Sequence, residues 1–146
     1  MLKESNNTQR IVELILALAR CSKLQRIIVA GEKTIELTFE LERRGYRHVA
    51  TTANCGLPTE QYDVALMYWR WRTFRALETT LDWFVHFLRS EGVLVVWTDP
   101  QKPTARESLN AALEKRGFII EATSAHANGC AVSARRREVK PIPEAA

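Results

Sequence analysis

Apolar residues recur along this chain in two alternating periods, and that alternation predicts the architecture. Ile11, Leu14, Ile15 and Leu18 fall at helical spacing, and Val12, Leu16 and Ala19 widen the apolar arc. Asn7 and Thr8 offer caps for this helix, which is expected to run to about Cys21. So wide an arc predicts burial on more than one side, by its own domain or by a partner subunit. Arg26-Ile27-Ile28-Val29-Ala30 then reads as a short strand buried on both faces, the pattern of a parallel sheet, and it ends at Gly31.

The alternation continues. A helix from about Thr34 to Arg44 carries Ile35, Leu37, Phe39 and Leu41 and closes at Gly45. His48 to Thr52 forms a second strand, and Asn54-Cys55-Gly56-Leu57-Pro58 is a linker with turn chemistry throughout. Asp63 to Tyr68 is the next strand, followed by a long helix from about Phe74 to Arg89 and a turn at Gly92. Val93 to Trp97 is a buried strand, and a helix from Ala105 to Arg116 stops at Gly117. Phe118–Thr123 and Cys130–Ala134 flank an Asn128-Gly129 turn. Strands alternating with helices and ending in a hairpin predict an α/β sheet with an antiparallel edge hairpin. That sheet should be mostly parallel, of about six strands, with the antiparallel hairpin at its C-terminus. The expected organisation is an N-terminal helix over 1–22, an α/β domain over 23–137 and a tail over 138–146.

Composition narrows the class. At 146 residues the chain can bury a core without disulfide or metal staples. Cys21, Cys55 and Cys130 are odd in number and lack CxxC spacing, which argues against a disulfide framework or zinc site and predicts a reducing cytoplasm. The polar start, Met1 to Asn7, predicts no secretory leader. The apolar stretch Ile11–Ala19 contains Glu13 and falls far short of a membrane span, so no membrane association is expected. The formal charge of +4 is modest. Arg135, Arg136, Arg137 and Lys140 are expected to follow the last strand as a solvated basic end. His48, His86 and His126 have no partner at metal-ligand spacing, and no serine sits in a Gly-x-Ser-x-Gly elbow.

Three local motifs carry a family likeness. Leu88-Arg89-Ser90-Glu91-Gly92-Val93 is similar to the L-x-x-G-G turn before the fifth strand of class I S-adenosylmethionine (SAM)-dependent methyltransferases, with Glu91 in place of the first glycine. Tyr62-Asp63-Val64-Ala65-Leu66 resembles the family's fourth strand, and Leu113 to Phe118 resembles the entry to its penultimate strand. The resemblance implies an α/β, three-layer Rossmann-like fold and a SAM site at the turn after the first strand, where an acidic-x-Gly-x-Gly-x-Gly pattern lets backbone approach the cofactor. Here Val29 stands at the acidic position, and Lys33 and Ile35 replace the later glycines. The acidic residue expected at the end of the second strand is Thr51 or Thr52, and about ten residues separate that strand from Asp63, too few for the family's third strand and its helix.

The expectation is therefore a methyltransferase-like protein, degenerate at the cofactor motif, that binds without catalysing and needs no cofactor. It would act as a homodimer or with a protein partner, a small molecule being possible. The alternative is a true SAM-dependent methyltransferase in which Gly31, Glu32, Thr51, Thr52 and Asp99 hold the cofactor. Tyr68, Trp69, Arg70, Trp71 and Trp97 would form a substrate or partner surface, since interleaved Trp and Arg stack on planar groups, or else they fill core and interface space. A nucleic-acid-binding module resting on Arg70, Arg72 and Arg135 to Arg137 is the least favoured reading.

Overall fold

The computed structural model describes residues 2–51, 61–69, 74–98, 103–126 and 129–137. Its elements run α1 (Leu2–Ala19), β1 (Arg26–Gly31), α2 (Thr34–Arg43), β2 (His48–Thr51), β3 (Tyr62–Trp69), α3 (Phe74–Phe87), β4 (Leu88–Thr98), α4 (Pro103–Lys115), β5 (Phe118–His126) and β6 (Gly129–Arg136). The strands form one sheet in the order β2-β1-β3-β4-β6-β5. β2, β1, β3 and β4 pair in parallel, and β6 runs antiparallel between β4 and β5. The expected α/β fold with its C-terminal hairpin is present.

Alternation along the central strands builds two cores. Ile28 and Ala30 of β1, Ala65, Met67 and Trp69 of β3, and Leu94 and Val96 of β4 face α3 and α4. Leu77, Leu81 and Phe84 of α3 and Leu109 and Leu113 of α4 close that side. Ile27 and Val29, Leu66 and Tyr68, Val95 and Trp97 point the other way, beneath Ile11, Val12 and Ile15 of α1 and Leu37 and Leu41 of α2. Strands buried on both faces carry apolar residues at every position, which is why they read as continuous hydrophobic runs. α1 belongs to the same layer as α2. Arg44 ties the two by donating to the Gln9 carbonyl (3.2 Å) and pairing with Glu13 (3.2 Å).

Several boundaries differ from expectation, four of them with a structural consequence. α1 begins at Leu2, not at Asn7 or Thr8. No proline or glycine interrupts Leu2 to Thr8, so nothing forces the helix to start at the potential caps. α3 ends at Phe87 because Leu88 already pairs with Tyr62 in β4; the register then shifts, and Val93 pairs with Val64. The extra residues on β4 are accommodated by a left-handed backbone at Glu91, φ +66°. α4 opens at Pro103, whose ring suits a first helical turn. The fourth correction concerns Arg135 and Arg136, which are strand residues, not part of a solvated tail. Arg135 bridges Glu121 (3.2 Å), and the Arg136 guanidinium donates to the Leu88 carbonyl.

Among the described residues β2 ends the sheet, bonded only to β1. The linker expected at 54–58 lies outside the described residues. Ile35 and Phe39, one turn apart on α2, are 68% and 67% exposed.

Candidate functional site

Ligands of open α/β sheets bind at the carboxyl ends of the strands, so the site is built from where β1, β2, β3 and β4 stop. β1 ends at Gly31, with φ +92°. A Cβ there would overlap the Tyr68 carbonyl oxygen of the neighbouring strand, so only glycine fits. The Glu32 N–H donates to that same carbonyl (2.8 Å), which fastens the turn across to β3. Lys33 follows in the left-handed region (φ 54°, ψ 30°) as the N-cap of α2, without a side-chain cap bond. Its carbonyl accepts from the Leu37 N–H (2.9 Å), and the Thr34 hydroxyl donates to the Gly31 carbonyl (2.9 Å). The Lys33 ammonium lies 5.4 Å from the centre of the Tyr68 ring, within cation–π range.

The residues named from the sequence are distributed as follows. Gly31, Glu32 and Thr51 lie at the carboxyl ends of adjacent strands, with Thr51 paired to Val29 in register. Thr52, Arg70, Trp71 and Asp99 lie outside the described residues. Tyr68, Trp69 and Trp97 are buried, with exposures of 3%, 6% and 1%. They do not converge: Tyr68 and Trp97 pack into the core beneath α1 and α2, and Trp69 into the core beneath α3 and α4. The indole N–H groups of Trp69 and Trp97 are both buried without a hydrogen-bond partner. The Trp97 ring stacks on His126 at 5.7 Å and 23°.

One grouping escaped the sequence reading, which named only Trp69 of its members as a site residue. Trp69, Thr98, Arg106, Leu109, His126 and Cys130 line a cavity of about 170 Å³ between α4 and the carboxyl ends of β3 and β4. Arg106 donates to the Cys130 sulfur (3.5 Å), and the Ser124 hydroxyl lies 2.7 Å from His126 Nε2. Arg106 falls on the exposed side of an amphipathic helix pattern, where an arginine gives no signal of its own. Only the tertiary approach of α4 to β6 brings it to Cys130.

Perturbed titrations lie elsewhere. Burial works against ionisation of Glu40, but hydrogen bonds and charge from Arg43, followed by Arg44, hold its carboxyl below the usual range. Burial pushes up both the Cys21 thiol and the Tyr46 hydroxyl, which contact one another. Arg116 is raised first by its hydrogen bond to Asp82 (2.7 Å), and with Glu78 (3.2 Å) it clamps α4 to α3. These are packing devices away from the strand ends. Among the described residues no His, Cys, Asp and Glu cluster could hold a metal, and no helix is long and apolar enough to cross a membrane.

Solved structures share this arrangement. The chain is similar to a SAM-dependent O-methyltransferase from Thermotoga maritima, with a TM-score of 0.65, 11% identity and coverage of 91% of this chain and 67% of that one. A precorrin-6y C5,15-methyltransferase from Geobacter metallireducens matches with a TM-score of 0.62 and 14% identity, over 88% of both chains. The fold is that of the class I SAM-dependent methyltransferases. The cyclase SpnF matches comparably, with a TM-score of 0.61 and 13% identity over 88% of this chain and 80% of that one. No protein-family model matches the sequence, and a search of curated proteins finds no relative. The turn Gly31–Lys33 follows the first strand, the position at which the sequence resemblance leads one to expect a cofactor turn.

Proposed function

We propose that this protein uses a methyltransferase fold for binding, transfers no methyl group and does not take SAM. The observation that supports this most is the turn after β1. A cofactor-binding turn offers free backbone amides and bare Cα positions. Here the Glu32 amide is engaged by the Tyr68 carbonyl, and the long side chain of Lys33 extends over the Tyr68 ring. The residue types add to this: Val29 and Thr51 supply no carboxylate where the resemblance calls for one. Fold alone does not prescribe chemistry, and a cyclase among the structural neighbours is consistent with that. The protein would act in the cytoplasm, as a homodimer or with a protein or small-molecule partner.

Isothermal titration of the full chain with SAM and with S-adenosylhomocysteine tests the proposal. No heat of binding is expected from either. Micromolar affinity for SAM would overturn it and favour the atypical methyltransferase, with Gly31, Glu32, Thr51, Thr52 and Asp99 as the residues to examine.

A further inference from the structure

We propose that α2 pairs with the α2 of a second copy of this chain, antiparallel about a two-fold axis. Of the partners that the binding reading leaves open, this selects one and gives it a surface.

The inner face of α2 is complete without Ile35 and Phe39. Leu37 and Leu41 are buried and close the core beneath α1 and α2, whereas Ile35 and Phe39 belong to neither core. Residues four apart on a helix stand one above the other, so the two exposed side chains form a short apolar stripe. A single exposed apolar residue is ordinary on a protein surface. Here the charges beside the stripe specify what covers it.

Those charges are self-complementary. Glu36 and Arg43 are seven residues apart, nearly two full turns, and so stand on the same flank of the stripe, one toward each end of α2. Glu36 is exposed and has no ion-pair or hydrogen-bond partner among the described residues. Arg43 holds Glu40 through Nε and Nη2, yet its side chain is 62% exposed, and Nη1 has no partner among the described residues. The helix dipole accounts for an acidic first turn and a basic last turn, but not for Ile35 and Phe39.

A two-fold axis across the helix reverses the direction of the second copy and keeps each flank on its own side. It sets Glu36 against Arg43 of the second copy and Arg43 against its Glu36, with the two Phe39 rings at the centre. One patch then complements itself, as an isologous contact requires. A parallel pair would instead oppose Glu36 to Glu36 and Arg43 to Arg43. Because α2 is ten residues long, about 15 Å, the contact is small beside the ~1,200–2,000 Å² of a stable interface. The dimer is accordingly expected to be weak, forming at ~10–100 µM and dissociating on dilution.

Sedimentation equilibrium of the full chain over about 5–500 µM tests this, with circular dichroism to show that each variant folds. The parent is expected to dimerise across that range. Phe39→Ser and Glu36→Arg are each expected to weaken the dimer at least about tenfold. Ile119→Ser, at an exposed apolar position on β5 at the opposite edge of the sheet, is expected to leave it unchanged. Glu36→Arg separates the two orientations, since a parallel pair would exchange one like-charge contact for another and keep its affinity. The ¹⁵N-labelled parent gives a reading without variants: on dilution the amide signals of Ile35, Glu36, Phe39 and Arg43 are expected to move together. A chain that stays monomeric at the highest concentration overturns the proposal. So does a dimer indifferent to Phe39→Ser or to Glu36→Arg, a dimer weakened equally by Ile119→Ser, or a dilution response confined to residues outside α2. SAM titration reads the cofactor turn separately: SAM binding beside an intact dimer overturns the closed turn and supports α2 pairing, and a monomer inert to SAM does the reverse.

Discussion

Gly31 and Gly117 give a matched pair of substitutions that isolates the contact on which the cofactor-turn argument rests. Both have positive φ, +92° and +85°, so an alanine at either meets the same backbone penalty. That penalty is about 1–2 kcal/mol, partly offset by the ~0.4–1 kcal/mol gained from a less flexible unfolded chain. The surroundings differ. A Cβ at Gly117 has nothing within 4 Å, whereas at Gly31 it overlaps the Tyr68 carbonyl. Relieving that overlap requires β1 to move from β3 and the Glu32–Tyr68 hydrogen bond to break. Overpacking costs about 1–3 kcal/mol, and the lost bond about 0.5–1.5 kcal/mol. Gly117→Ala should therefore cost about 1 kcal/mol, and Gly31→Ala about 3 kcal/mol or more. Urea unfolding followed by tryptophan fluorescence and circular dichroism reads both, and unchanged m-values would confirm comparable unfolded states. Equal losses for the two variants would refute the reasoning, because the turn would then not be held against Tyr68.

The remaining expectations are quickly stated. Because Glu40 has a lowered carboxyl pKa in the folded state, its stabilising effect is complete above the unfolded value near about 4.3 and is lost as pH falls through the folded value. Glu40→Gln should flatten the fall of the urea midpoint between about pH 5 and about pH 3; a slope identical to the parent's would count against the Arg43 and Arg44 pairing. Glu91→Gly and Lys33→Gly relieve left-handed strain at the cost of chain entropy and one weak contact each, so stability should hold or rise by up to about 1 kcal/mol in thermal melts. A loss beyond about 1 kcal/mol at either position would show that the side chain carries more of the turn than the backbone does. Titration with SAM completes the set.

Much of the fold was legible because it depends on local pattern. The strands Arg26–Ala30 and Val93–Trp97 are unbroken apolar runs, and the glycines at 45 and 117 mark helix ends through their positive φ. Asn128-Gly129 announced the hairpin. Boundaries failed where tertiary pairing overrode propensity, as at Leu88, which leaves its helix to pair with Tyr62. The site was harder to read. Tyr68, Trp69 and Trp97 look like one aromatic patch in sequence, but consecutive strand residues point to opposite faces, so Tyr68 and Trp69 part company. Arg106 and Cys130 are 24 residues apart and meet only through packing.

At Lys33 and Glu91, two positions where the family resemblance calls for glycine, the backbone keeps the left-handed conformation although the residue is charged. A lysine or glutamate does not choose that conformation by itself, at a cost of about 1–2 kcal/mol, so the surrounding sheet must impose it. At Lys33 that imposition includes the strand pairing of Gly31 with Tyr68 and the bond from Glu32. The backbone path of this turn is thus held by the sheet and not chosen by the side chains that occupy it.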